Sequence, residues 1–124
     1  FEGESGPYVQ YTHARASSIL RKAEVDVQEE TDYQLLKENA EIDLIRLLNM
    51  FPEIVKEAAR KYEPSIVTRY IIDVAQSFNK YYHDHPILVD DLDLQRARAS
   101  LVYGVKQTIK NGLNLIGVNA PERM

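Results

Sequence analysis

Pro64-Ser65-Ile66-Val67-Thr68-Arg69-Tyr70-Ile71-Ile72-Asp73-Val74-Ala75-Gln76-Ser77-Phe78-Asn79-Lys80-Tyr81 is the stretch whose pattern decides the fold. Ile66, Val67, Tyr70, Ile71, Val74, Phe78 and Tyr81 recur with a period of about 3.6 residues, the signature of a helix with one buried face. Pro64 suits the start, where a missing N–H is no loss. Pro86 closes the segment after a His83-Asp84-His85 turn. This is expected to be the fourth and longest helix of an all-α bundle.

Towards the N-terminus the same period repeats. Pro52 begins a third helix with Ile54, Val55, Ala58, Ala59 and Tyr62 inward. A second is expected over Asp32–Asn49, its stripe made of Leu35, Leu36, Ile42, Leu44, Ile45 and Leu48. Gly6-Pro7 opens the first, which ends near Ala23 and carries Tyr8, Tyr11, Arg15 and Ile19 on one face; Val25–Thr31 is a charged loop. Towards the C-terminus, Asp93 is expected to cap a fifth helix running to about Asn111 and burying Leu94, Ala97, Leu101, Val105 and Ile109. Gly112 stands where a left-handed cap needs a residue without Cβ. Leu113–Met124, broken by Gly117 and Pro121, should pack as turns. No segment alternates with period two. The expected architecture is a single-domain helical bundle of about five helices with an irregular packed C-terminal tail. Residues 1–6 read as a linker and 7–124 as the bundle, and the start at Phe1 reads as a cut through a longer chain.

Composition narrows the function. With 124 residues, 44% of them hydrophobic and 27% charged, the chain suits one globular domain and not a disordered tail. It has no cysteine, so no disulfide framework and no thiolate chemistry. No apolar run approaches the roughly 18 residues of a membrane span. A cytoplasmic protein with no membrane partner is therefore expected. The net charge of −4 argues against coating DNA or RNA by bulk electrostatics. The charge is uneven, however. Glu24–Asp43 holds eight acidic residues and one lysine, whereas Leu94–Met124 holds five basic residues, Arg96, Arg98, Lys106, Lys110 and Arg123, and one acid.

Catalytic groupings are scarce. His83-Asp84-His85 lacks the further ligands and spacing of a metal site, and reads as an interhelical turn. Asp90-Asp91-Leu92-Asp93 reads as a helix cap. No serine stands in a glycine-flanked elbow, and no glycine-rich phosphate loop exists. No catalytic residue, no metal and no cofactor are expected in this chain.

The tyrosines say more. There are eight, against three phenylalanines and no tryptophan. Tyr70 and Tyr103 fall on apolar stripes and are expected in the core. Tyr8 and Tyr11 stand three apart, with Arg15 one turn further on. Two rings and a guanidinium so spaced can stack unpaired bases and meet phosphate, as in recognition of single-stranded RNA. The same face would serve a helical protein-interaction module, and from the residues alone both readings stay open.

Gly6-Pro7-Tyr8-Val9-Gln10-Tyr11-Thr12-His13-Ala14-Arg15 resembles the segment that leads from the catalytic core of class I arginyl-tRNA synthetases into their C-terminal helical domain. Glu41-Ile42-Asp43-Leu44-Ile45-Arg46-Leu47-Leu48 with Phe51-Pro52 is similar to the same family, as is Ala75-Gln76-Ser77-Phe78-Asn79-Lys80-Tyr81-Tyr82. The run Asn111–Met124 resembles the family's ending, final methionine included. Where the family has Asp-Ala-Leu-Arg, this chain reads Arg96-Ala97-Arg98-Ala99-Ser100-Leu101, a departure.

The resemblance implies an anticodon-binding domain of the Asp-Ala-Leu-Arg type, acting on arginine tRNA within an ATP-dependent, class I arginine–tRNA ligase. It implies that Tyr8, Tyr11, Arg15, Tyr82 and Met124, with Asn79, lie against the anticodon loop, with specificity centred on the middle cytosine. Tyr81 falls on the core stripe, which leaves Tyr82 for RNA. Arg96, Arg98, Lys106, Lys110 and Arg123 are the candidate phosphate contacts. ATP with magnesium would belong to a catalytic domain of the parent, which would also be the domain's intramolecular neighbour. The His-Ile-Gly-His and Lys-Met-Ser-Lys type signatures are absent here, so the chain by itself is expected to be non-catalytic.

Overall fold

The computed structural model describes residues 5–124. It contains α1 (Ser5–Lys22), a short 3-10 turn (Tyr33–Leu35), α2 (Asn39–Asn49), α3 (Phe51–Lys61), α4 (Ser65–Asp84) and α5 (Leu92–Leu115), and no strand among the described residues. The chain is all-α, as its periodicity predicts. α4 is the central helix, packed against α1, α2, α3 and α5. Its stripe of Val67, Tyr70, Ile71, Val74, Phe78 and Tyr81 is buried, and the Tyr70 hydroxyl donates to the Leu47 carbonyl at 2.6 Å. Burial pushes that hydroxyl up to about 12.

Several expectations are corrected in detail. α5, with 24 residues, is longer than α4, with 20. Ser5 and Gly6 are already helical, with Pro7 in the first turn of α1; the rest of the expected loop, 1–4, lies outside the described residues. The helix expected from Asp32 is split. Asp32 caps only the 3-10 turn, through the Gln34 N–H at 3.1 Å, and α2 starts after Glu38, whose N–H donates to the Glu41 carboxylate at 3.1 Å. Two acidic caps six residues apart compete for one helix, and the later one lies next to the buried stripe. α5 likewise starts one cap earlier than expected. Asp91, not Asp93, accepts from the N–H groups of Asp93 and Leu94.

Gly112 does not end α5. It is buried in the last turn of α5, packed on α4, and a Cβ there would stand 2.3 Å from the Ile71 Cγ2 methyl. Close approach explains this glycine. The left-handed cap falls at Gly117, φ 78°, where the Val118 N–H donates to the Leu113 carbonyl at 2.9 Å and the Gly117 N–H to the Asn114 carbonyl at 3.1 Å. That pair of bonds is the glycine-terminated helix ending known as the Schellman motif. Tyr103 is exposed and not core, because the buried face of α5 runs through Val102 and Val105.

Candidate nucleic-acid interface

α1 has two unlike faces. Val9, Thr12, His13, Ala16 and Ser17 are buried, at helical spacing, against α4 and α5. The other face presents Tyr8, Tyr11 and Arg15 to solvent, with Tyr11 58% exposed. Ile19, expected on the tyrosine face, belongs to the core.

α4 meets this outer face through Asn79. Its amide nitrogen donates to the Tyr8 hydroxyl at 3.0 Å and to Thr12 Oγ1 at 2.9 Å, and its carbonyl accepts from Arg15 Nη1 at 2.8 Å. Thr12 in turn donates to the Tyr8 carbonyl at 3.0 Å. Asn79 thus ties the Tyr8 ring, the Arg15 guanidinium and the two helices into one arrangement. One turn along α4, Tyr82 is 37% exposed, stacked on the buried Phe78 ring at 6.1 Å, with the Arg15 guanidinium 5.7 Å from its ring centre. Its neighbour Tyr81 is buried and donates its hydroxyl to Glu41.

Three clefts meet at Arg15. One of about 280 Å³ lies among Tyr8, Tyr11, Thr12 and Asn79, and one of about 510 Å³ lies beside Asn79, Tyr82 and Pro86. A third, of about 480 Å³, runs between α1 and the tail, bounded by Tyr11, Ser18, Arg21, Arg123 and Met124. Tyr8, Tyr11, Arg15, Asn79, Tyr82 and Met124 are therefore gathered on one side of the molecule although they come from both ends and the middle of the chain.

The tail reaches this side because α1 holds it. Gln10 Nε2 donates to the Asn119 carbonyl at 3.0 Å, Arg21 Nη1 to the Glu122 carbonyl at 3.3 Å, and His13 Nδ1 to the Pro121 carbonyl at 2.6 Å. A carbonyl only accepts, so the His13 proton sits on Nδ1. Its Nε2 is buried with no partner among the described residues. Burial holds the imidazole below its usual range, against the Pro121 bond and Glu122, which raise it. The neutral ring suits the site, and acid works against it. The Glu122 carboxylate, held low by Ser17 and Lys106, lies 3.2 Å from Lys106 Nζ.

The candidate phosphate contacts divide. Arg98 is not available: it is buried, with Nε 3.0 Å from Glu41 and Nη1 donating to the Pro86 carbonyl at 2.9 Å. It lies one turn before Val102, on the inward face of α5. Arg96 pairs with Glu29 at 3.3 Å and Asp93 at 3.4 Å, and Lys106 pairs with Glu122, so both carry their own counter-charges. Lys110 is exposed on α5, and Arg123 is exposed at the α1–tail cleft. Sequence reasoning missed Arg21 and Ser18. Ser18 follows Arg15 by three residues and Arg21 follows Ser18 by three, and that run of neighbours along the helix surface was the available signal.

Residues 9–124 match the family model of the DALR anticodon binding domain. The chain belongs to this family. It is 53% identical over its whole length to the arginine–tRNA ligase of Alkaliphilus metalliredigens and 52% identical to that of Clostridioides difficile. In each case it spans 22% of the relative's length. The arginyl-tRNA synthetase structure of Thermus thermophilus superposes with a TM-score of 0.89 at 40% identity, covering all of this chain and 22% of that one. The arginyl-tRNA synthetase of Plasmodium falciparum, at 23% identity and a TM-score of 0.85, shares the fold. No described helix of this DALR domain is long and apolar enough to cross a membrane.

Proposed function

We propose that this domain binds the anticodon loop of arginine tRNA as part of a cytoplasmic arginine–tRNA ligase. In this reading the ATP-dependent joining of arginine to tRNA takes place in the remainder of the intact protein. The observation that carries it is the gathering of three exposed tyrosine rings around one arginine, on a chain of this family. Bases splayed from the loop stack on Tyr8, Tyr11 and Tyr82, with Met124 at the edge of the row. Arg15 lies among the three rings, where its charge meets the loop backbone and also sits over the Tyr82 ring. Asn79 acts by fixing Tyr8 and Arg15, since its amide is already engaged by the protein. The middle cytosine is the base whose identity the site reads.

Tyr82→Ala tests this in the intact protein. Base–aromatic stacking is worth about 1–3 kcal/mol per base, so the affinity for an arginine anticodon stem-loop should fall about fivefold or more. Tyr62→Ala is the control, because Tyr62, expected inward, is instead the cap of α3 and 92% exposed, away from the clefts around Arg15. Equal losses from both substitutions would contradict the assignment.

A further inference from the structure

The acidic residues outnumber the basic ones by 19 to 15 in this chain, yet Arg15, Arg21 and Arg123 enter none of the ion pairs formed among the described residues. Arg96, Arg98 and Lys106 all do. Arg46, Arg60 and Arg69 stand outside those pairs as well, but Arg15, Arg21 and Arg123 are gathered in one place. They converge on the cleft between α1 and the tail, together with the Ser18 hydroxyl.

Little of their hydrogen-bonding capacity is used. Arg15 donates to Asn79, and Arg21 makes a single bond to the Glu122 carbonyl at 3.3 Å, out of five donors on each group. Glu122, the one acidic side chain of the tail, enters no ion pair with them. Its carboxylate pairs instead with Lys106 on α5, at 3.2 Å. The tail itself is fixed by its bonds to Gln10 and His13. Planar guanidinium groups meeting in a cleft match an oxyanion of phosphate type. Tyr11 and Met124 border the same cleft, so the anion it takes is adjacent to the row of rings.

We propose that the α1–tail cleft is a subsite for a backbone phosphate of the RNA strand whose bases stack on Tyr8 and Tyr11, with Arg21 and Arg123 as its principal donors. This rests on the anticodon-loop reading above. It moves the electrostatic contact from α5, where the sequence concentrates basic residues, to the outer face of α1. Such a contact sets the strand's position and leaves base choice to the rings.

The test is a titration of the intact protein with the arginine anticodon stem-loop at several salt concentrations. Each phosphate contact on a single strand contributes about 0.7 to the slope of log affinity against log salt. The double substitution Arg21→Gln with Arg123→Gln should therefore flatten the slope by about that amount. It should also weaken the matched loop and a loop changed at its middle base by the same factor. Arg60→Gln, on the exposed surface of α3, should leave the slope alone. An unaltered slope in the double variant, in a protein whose loop binding still responds to Tyr11→Ala, would overturn the subsite and spare the function. An equal flattening by Arg60→Gln would also overturn it, as an effect of bulk charge. Failure of the unsubstituted protein to bind the loop would bring down the functional reading, and this proposal with it.

Discussion

Removing the Tyr8 and Tyr11 rings together is expected to weaken anticodon stem-loop binding more than any other change on the surface of this domain. Each ring is worth about 1–3 kcal/mol if one base stacks on it, which for the pair exceeds tenfold in Kd when the two losses add. The two losses need not add, because the rings border one cleft and neighbouring sites couple. Fold stability should change little with Tyr11→Ala, since that ring is 58% exposed. Tyr8 carries a second function in its hydroxyl, which accepts from Asn79 at 3.0 Å. Tyr8→Phe therefore separates the two, keeping the ring and releasing the bond. It should cost much less affinity than Tyr8→Ala. Kd measured by fluorescence titration with labelled stem-loop decides the matter, and alanine variants that bind as tightly as the parent would show that the rings are not stacking platforms.

Glu41→Ala is expected to be the most destabilising single change in the interior. Glu41 is fully buried in α2, and its carboxylate accepts from Arg98 Nε at 3.0 Å, the Tyr81 hydroxyl at 2.5 Å and the Glu38 N–H at 3.1 Å. One group thereby ties α2 to both α4 and α5. Burial, with Glu41 adding to it, pushes the Tyr81 hydroxyl well above its usual range, so it stays a donor. Deleting the carboxylate leaves the Arg98 charge buried with only the Pro86 carbonyl, and breaking a buried pair in this way costs about 3–5 kcal/mol. Denaturant unfolding measures it. A second substitution, Arg98→Met, should recover part of the loss, because the stranded charge and not the missing contact dominates the cost. Tyr81 precedes Tyr82 in α4, so the same network holds the exposed Tyr82 ring of the proposed interface at its height on the helix. A loss below about 1 kcal/mol, the scale of an exposed pair, would mean that water reaches Arg98.

The helices were legible because their stripes are long and regular. Val67, Tyr70, Ile71, Val74 and Phe78 repeat with the helical period, and all are buried. Boundaries were less legible where two caps compete, as at Asp32 and Glu38, since only tertiary packing selects between them. Gly112 misled because a glycine required for close helix contact looks the same in sequence as one required for a left-handed turn. Its reason is the Ile71 side chain, 41 residues away in sequence. Arg98 misled for a related reason. An arginine on α5 counts as surface charge until Glu41 and Tyr81 are known to face it.

On the site, the spacing of Tyr8, Tyr11 and Arg15 placed three groups on one helical face without outside help. Asn79, Tyr82 and Met124 could not be joined to them by spacing, because no local period links residues of α1, α4 and the tail. Those positions came from the resemblance. Arg21 was open to a spacing argument through Ser18, whereas Ile19, expected on the tyrosine face, turns inward.

The most direct measurement of the central claim is a pair of titrations of the intact protein, one with the arginine anticodon stem-loop and one with a copy altered only at the middle base. If the domain reads the anticodon, the altered loop binds more weakly by about 1–3 kcal/mol, the discrimination that one well-made base contact supplies, and Tyr8→Ala with Tyr11→Ala narrows the gap. Equal affinity for the two loops, unchanged by those substitutions, would contradict it.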